Sequence, residues 1–148
     1  MAAPVLHGIV RAGLEVLQVI NDWLRIPYRD HGRDWTGCDC WGLVRMVRHT
    51  LRGDLLASYG SIDPNDKTAL TVAAGYVLGG GGFQLRQEPG VGALATVWRG
   101  ALCLHVGIVV EVEGRLAVLE TGRRIGVRWL RLSDFLQVYR DVRFYDND

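Results

Sequence analysis

From residue 92 onward the sequence alternates with a period of two. "GALATVW" (92–98), "LHVGIVVEV" (104–112), "RLAVLET" (115–121), "GVRWLRL" (126–132) and "VYRDVRFY" (138–145) are strand candidates separated by turns or the short "SDFLQ" segment. Before position 92 the periodic stretches follow helical spacing instead, with "YRDHGRDWTG" (28–37) a polar loop and 54–90 the least readable part, so the chain reads as helices first and an antiparallel sheet afterwards. That order defines an α+β domain. With 148 residues and 49% hydrophobic content there is enough apolar surface for one core, and no internal repeat or linker divides the chain, so a single domain over 1–148 is expected.

Three helices are expected. Over residues 5–25 the polar positions His7, Arg11, Glu15, Gln18, Asp22 and Arg25 form one narrow stripe on an otherwise apolar helix, which buries itself or meets a second protein. Ile26-Pro27 is its expected stop. From Cys40, apolar residues at 40, 43, 44, 47 and 51 share one helical face, Arg45, Arg48 and Arg52 lie on another, and Gly53 is the expected stop. "KTALTVAAGYVL" (67–78) reads as a short helix, and "GGGG" (79–82) as a joint or tight turn. Those glycines lack the Lys-Ser/Thr that a phosphate-binding loop requires.

The formal net charge of +1, with no basic tract, gives no reason to expect nucleic-acid binding. The N-terminal stretch has neither the basic start nor the unbroken apolar run of a signal peptide or membrane span, so synthesis in the cytoplasm without membrane insertion is expected. Three cysteines in such a chain do not make a disulfide framework.

"GCDCWGLVR" (37–45) raises the functional question, because it puts Cys40 in the first turn of a helix. On the strand 104–112, Leu104, Val106, Ile108, Val110 and Val112 share one face, the core face, while His105, Gly107, Val109 and Glu111 share the other. A two-residue loop at Glu113-Gly114 pairs Val112 with Arg115 and sets Gly107 opposite Glu120. His105 and Glu120 then become diagonal neighbours, ~7 Å apart at the backbone, with Gly107 leaving space between strands. A thiol becomes a nucleophile when a helix N-terminus and an imidazolium favour its ionised form, and the imidazole needs a third group to orient it. Cys40, His105 and Glu120 supply these parts. The Cys40 backbone N–H, unpaired in the first turn, is placed to stabilise an oxyanion.

These residues carry a resemblance. "PYRDHGRDWTGCDCWGLVR" (27–45) resembles the signature of the NlpC-type papain-like cysteine peptidases, and "HVGIVV" (105–110) resembles their histidine strand. Trp41, Arg45 and the ending "GVRWLRLSDFLQVYRDVRFY" (126–145) are similar to members encoded with phage or gene-transfer-agent tail genes. The resemblance spans residues 21 to 145. It implies a papain-like fold and a cell-wall hydrolase that cuts stem-peptide amide bonds in peptidoglycan without a cofactor. It further implies Cys40 as nucleophile, His105 as base and Glu120 as the third polar residue. Tyr28 matches a family tyrosine near the oxyanion site, and Asp39 the aspartate before the cysteine. Trp41 and His31 are further candidates to line the cleft. The implied partners are tail-tip or baseplate proteins, and the implied location is a phage-like particle acting at a target wall.

There are departures. Gly92-Ala93-Leu94 lacks the acid of the family's Gly-Asp-Leu, Glu120 is an uncommon third residue, and 54–90 matches no motif. Two other readings of Cys40 stay open, an inert thiol and a zinc ligand. Zinc would use Cys38, Cys40, Cys103 and His105, since Cys103 and His105 point the same way on a regular strand, although Cys-x-Cys is tighter than usual zinc spacing. An alternative to the enzyme is a structural tail-tip component that keeps the fold.

Overall fold

The structure, a computed structural model, describes residues 20–147. Most of the helix expected over 5–25, with His7, therefore lies outside the described residues. Its visible end, residues 20–23, is helical and stops a turn earlier than Ile26-Pro27. The cause is a tightening of the backbone: the Arg25 and Ile26 N–H groups bond carbonyls three residues back, those of Asp22 and Trp23. Ile20, Trp23 and Ile26 are buried in the main core.

The segment expected to be a polar loop contains a small hairpin, β1 (Arg33–Asp34) and β2 (Gly37–Cys38). The Asp34 carboxylate accepts the Thr36 N–H and hydroxyl, which closes the turn. Helix α1 (Cys40–Arg52) follows at once, capped by Asp39 and ended by Gly53 in the left-handed region at φ 67°. Leu43, Val44 and Val47 are wholly buried, each worth about 1.5–3 kcal/mol of apolar burial. Helix α2 (Lys67–Gly80) is two residues longer than the expected 67–78 and exits through Gly82 at φ 69°.

The sheet has six strands in the order β3-β8-β4-β5-β6-β7, all antiparallel. They are β3 (Gln84–Arg86), β4 (Leu94–Arg99), β5 (Leu102–Val112), β6 (Arg115–Gly122), β7 (Gly126–Arg131) and β8 (Val142–Asp146). Helix α1 packs on β5 and β6, and α2 on β5. Helix α3 (Leu132–Val138) packs on β6 and β7.

Two expectations need correction. The sheet has two buried faces, not one. Val109 and Val118, on the face opposite α1, are completely enclosed with Phe135 of α3 and Phe144 of β8 in a second core. Arg48 is not on an exposed polar face: it is 1% exposed. Its guanidinium donates to the Gly92 carbonyl at 2.6 Å, to Asp146 at 3.0 Å and to the Asn147 side chain, while Arg52 donates to the other Asp146 oxygen at 2.8 Å. The C-terminal strand returns beside α1, and its buried carboxylate needs cations there. Burial works against the charged Asp146. The Asn147 N–H and the two arginines outweigh it and hold the carboxyl below its usual range.

Candidate active site

Asp39 sets the start of α1. Its Oδ1 accepts the Gly42 N–H at 2.8 Å and a bond from the Arg33 guanidinium, and its Oδ2 accepts the His31 N–H at 3.1 Å. One buried carboxylate thus fastens the β1 hairpin and the preceding turn to the helix that carries Cys40. The fit is tight, since a Cβ on Gly42 would stand 2.0 Å from the Gly32 carbonyl oxygen. Arg33 also donates to the Ser58 and Tyr59 carbonyls. It ties the helix start to the 58–62 loop.

Across from Cys40, the hairpin of β5 and β6 has the register expected of a two-residue loop. Val112 pairs with Arg115 and Ile108 with Leu119. Glu113 and Gly114 both have positive φ, as a type I′ turn requires. Gly107 does not leave a void. A Cβ there would meet the Val118 side chain at 2.7 Å and the Leu119 carbonyl at 2.9 Å, so glycine is what lets the strands close.

His105 and Glu120 are hydrogen-bonded, Nε2 to Oε1, at 2.7 Å. Cys40 lies beside the His105 ring, on the same cavity, and with Nε2 occupied by Glu120 the nitrogen left for the sulfur is Nδ1. Burial disfavours the charged ring, but the neighbouring Cys40 and the bond to Glu120 outweigh it and push the imidazole up to about 9. Glu120 is fully buried. Burial alone would raise its pKa. Hydrogen bonds from His105, from the Tyr139 hydroxyl (2.6 Å) and from Arg128 Nε (3.0 Å) lower it instead. Tyr139 also packs against the imidazole, ring centroids 5.5 Å apart.

Arg128 and Tyr139 did not emerge from sequence reasoning. The Arg128 signal was available, because the turn between β6 and β7 pairs Gly122 with Gly126 and Glu120 with Arg128. Tyr139 lies after α3, and no spacing rule predicts where that helix brings it.

The Tyr28 phenol faces Cys40, Asp30 and Arg123. Burial, then the neighbouring Asp30, push it above the ordinary phenol range, so it stays an O–H donor. Arg123 donates to Asp30 at 2.6 Å and was also missed, being a turn residue with no pattern around it. Trp41 donates its indole N–H to the Ala57 carbonyl and lines the cavity beside Cys40. The exposed His31 ring is bonded at Nδ1 to the Gly60 carbonyl, 2.6 Å, rather than lining that cavity.

The other cysteines differ from Cys40. Burial pushes the Cys38 thiol up to about 12 and the Cys103 thiol up to about 11, so both stay protonated. The expectation that Cys103 and His105 point the same way fails. Trp98 pairs with Cys103 but Val97 with His105, so Leu104 is an extra residue, a bulge, and it puts the two side chains on opposite faces. Among the described residues, no three His, Cys, Asp or Glu side chains converge in a way that could hold a metal ion. No described helix is long and apolar enough to cross a membrane.

A cysteine at the start of a helix that packs on an antiparallel sheet, facing a histidine from that sheet, is the papain-like α+β arrangement. No protein-family model matches the chain, and no curated protein matches it in sequence. In structure it is similar to the NlpC/p60 domain of the peptidoglycan hydrolase SagA, with a TM-score of 0.56 and 16% identity, over 92% of this chain and 98% of that one. The fold is therefore α+β, as expected from the order of elements, and papain-like, as the resemblance implied.

Proposed function

We propose that this chain is an NlpC-type cysteine hydrolase that cuts an amide bond in the stem peptides of peptidoglycan. The observation that carries the reading is Cys40 beside His105 on one cavity, with that imidazole hydrogen-bonded at 2.7 Å to the buried Glu120 carboxylate.

In this reading the Cys40 proton passes to His105 Nδ1 as the sulfur attacks the substrate carbonyl carbon. The oxyanion that forms is met by the Cys40 N–H, which has no intrahelical acceptor in the first turn, and by the Tyr28 side of the cleft. One such donor is worth about 3 kcal/mol of transition-state stabilisation. His105 then delivers its proton to the departing amine, which leaves a thioester on Cys40. A water molecule, deprotonated by His105, attacks the thioester, releases the carboxylic acid and restores the thiol. Glu120 keeps the Nε2 proton and the ring orientation throughout, while Asp39 holds the helix start.

Carriage by a phage-like tail, with tail-tip or baseplate proteins as partners and action at a target wall, is the finer part of the proposal. It is supported by the resemblance of residues 126–145 and of Trp41 and Arg45 to tail-encoded members. Peptidoglycan digestion by wild type and by Cys40→Ala, with fragments read by mass spectrometry, tests the activity. Wild type alone is expected to release new amino termini, and equal, null release from both would favour the structural tail-tip role. Detection of the chain in purified particles tests the carriage.

A further inference from the structure

Beside Cys40 and His105 lies a cavity of about 60 Å³, walled by α2 on one side and by β4 and β5 on the other. Its α2 wall is aliphatic, with Leu70, Ala73, Ala74 and Val77, and the sheet contributes Leu94 and Val106. Of the polar side chains that line it, the Tyr59 phenol is the exception, and Arg33, Asp39, Trp41, Thr96 and Cys103 are engaged elsewhere. Arg33 is committed to Asp39 and to the Ser58 and Tyr59 carbonyls, and the Thr96 hydroxyl donates to the Arg143 carbonyl while accepting from the Trp98 indole. The Trp41 indole N–H is bonded to Ala57, and the Cys103 thiol contacts the His105 carbonyl. A polar or charged substituent seated against the α2 wall would give up its water without recovering those hydrogen bonds, which costs kilocalories, whereas an aliphatic one gains by burial.

We propose that this cavity is the subsite for a small aliphatic group carried next to the carbonyl that Cys40 attacks. The inference rests on the reading above for the identity of the attacking sulfur, and it narrows the substrate. The acyl half bears an alanine- or valine-sized side chain, or a short acyl chain, rather than a carboxylate. Size follows from volume: an apolar cavity of about 150 Å³ holds one benzene molecule, so about 60 Å³ holds about two or three carbon atoms. Helix α2 is the element that sets this limit, since Ala73 and Ala74 bring its backbone close to the site.

Two probe series test the proposal. In the first, purified protein is modified with alkyl methanethiosulfonates from methyl to hexyl. The Cys40 thiolate takes the alkylthio group as a mixed disulfide and methanesulfinate leaves, with the rate read by intact mass against a Cys40→Ser control. In the second, p-nitrophenyl acetate, propionate, butyrate and octanoate are hydrolysed. Rates are expected to peak at two or three carbons in the first series and at propionate or butyrate in the second. Ala73→Leu should move both optima to the shortest probe, and Leu70→Ala should move them to longer ones, by roughly tenfold in the rate ratio per methylene. Ala74→Leu serves as a second filling variant should Ala73→Leu not fold. Rates that are flat with chain length, that rise steadily to the longest probe, or that keep their optimum in all folded variants overturn the proposal. A sharp methanethiosulfonate optimum with no Cys40-dependent cleavage of peptidoglycan or esters would sink the hydrolase reading and leave the subsite standing. Cys40-dependent peptidoglycan cleavage with a flat methanethiosulfonate series would do the reverse. The ester series also separates a short acyl chain from an amino-acid side chain as the natural occupant when it is extended to alanyl and valyl p-nitroanilides.

Discussion

Replacing Glu120 by glutamine changes one charge and almost no volume. The wild-type carboxylate is fully buried and accepts from His105 and Tyr139 at Oε1 and from Arg128 at Oε2. In Glu120→Gln the amide oxygen serves His105 and Tyr139, while the amide nitrogen faces the Arg128 guanidinium, donor against donor. Breaking a buried charge pair in this way costs about 3 kcal/mol. For a chain of this size that is a fall in Tm of about 6–12 °C. The effect on the imidazole is separate. Its rise from 6.5 to about 9 is worth about 3 kcal/mol in favour of the charged ring, shared between Cys40 and Glu120 after burial has been overcome. Removing the carboxylate is therefore expected to lower the His105 midpoint by at least about one pH unit, ~1.4 kcal/mol. The assay is NMR titration of the His105 Cε1–H in Cys40→Ser and in Cys40→Ser/Glu120→Gln, since in that background no thiol titrates in the same window. Midpoints that agree within about 0.3 pH unit would refute the claim that the carboxylate holds the proton on the ring.

Stability should follow the same pair. The His105 value is raised in the fold, so its contribution is complete below 6.5 and disappears as pH rises through about 9. The Glu120 value is lowered, so its contribution is present above 4.5 and disappears as pH falls below that. Thermal melts from pH 3 to 10 are expected to show a plateau between about 5 and 7, and a Tm still rising past pH 9 would contradict this. Arg48→Met should lose about 3–5 kcal/mol by leaving Asp146 buried with only Arg52, read as a drop in the urea midpoint, and Asp146→Asn in the same background should recover part of it. Gly107→Ala should cost about 1–3 kcal/mol by forcing β5 and β6 apart, and should lower the rate of Cys40 alkylation along with stability, because the same strand pair carries His105 and Glu120.

Much of the site was legible because its parts are local. The helix from Cys40 and its stop at Gly53 follow from residue types within about a dozen positions of one another, whereas Asp39 entered only through the resemblance and its cap only with the structure. The His105–Glu120 contact follows from a two-residue turn, since loop length alone sets hairpin register. The bulge at Leu104 was not legible, because an extra residue shows itself only against the partner strand. It reversed the relation of Cys103 to His105 and with it the geometry a metal site would have needed.

What the sequence determined by itself is the set of elements and the chemistry they carry: periods of 3.6 and 2.0, caps, turns, and a thiol, an imidazole and a carboxylate at fixed places along them. What tertiary structure decided is which of these groups are paired. Arg48 looked like a surface residue until β8 returned beside α1, Tyr139 had no visible role until α3 turned it toward Glu120, and the cavity beside Cys40 exists only because α2 lies over β4 and β5. The physical reason is range. Backbone hydrogen bonding and periodicity act over a few residues, whereas burial of charge and the shape of a cavity depend on segments tens of positions apart that meet only when the chain has folded.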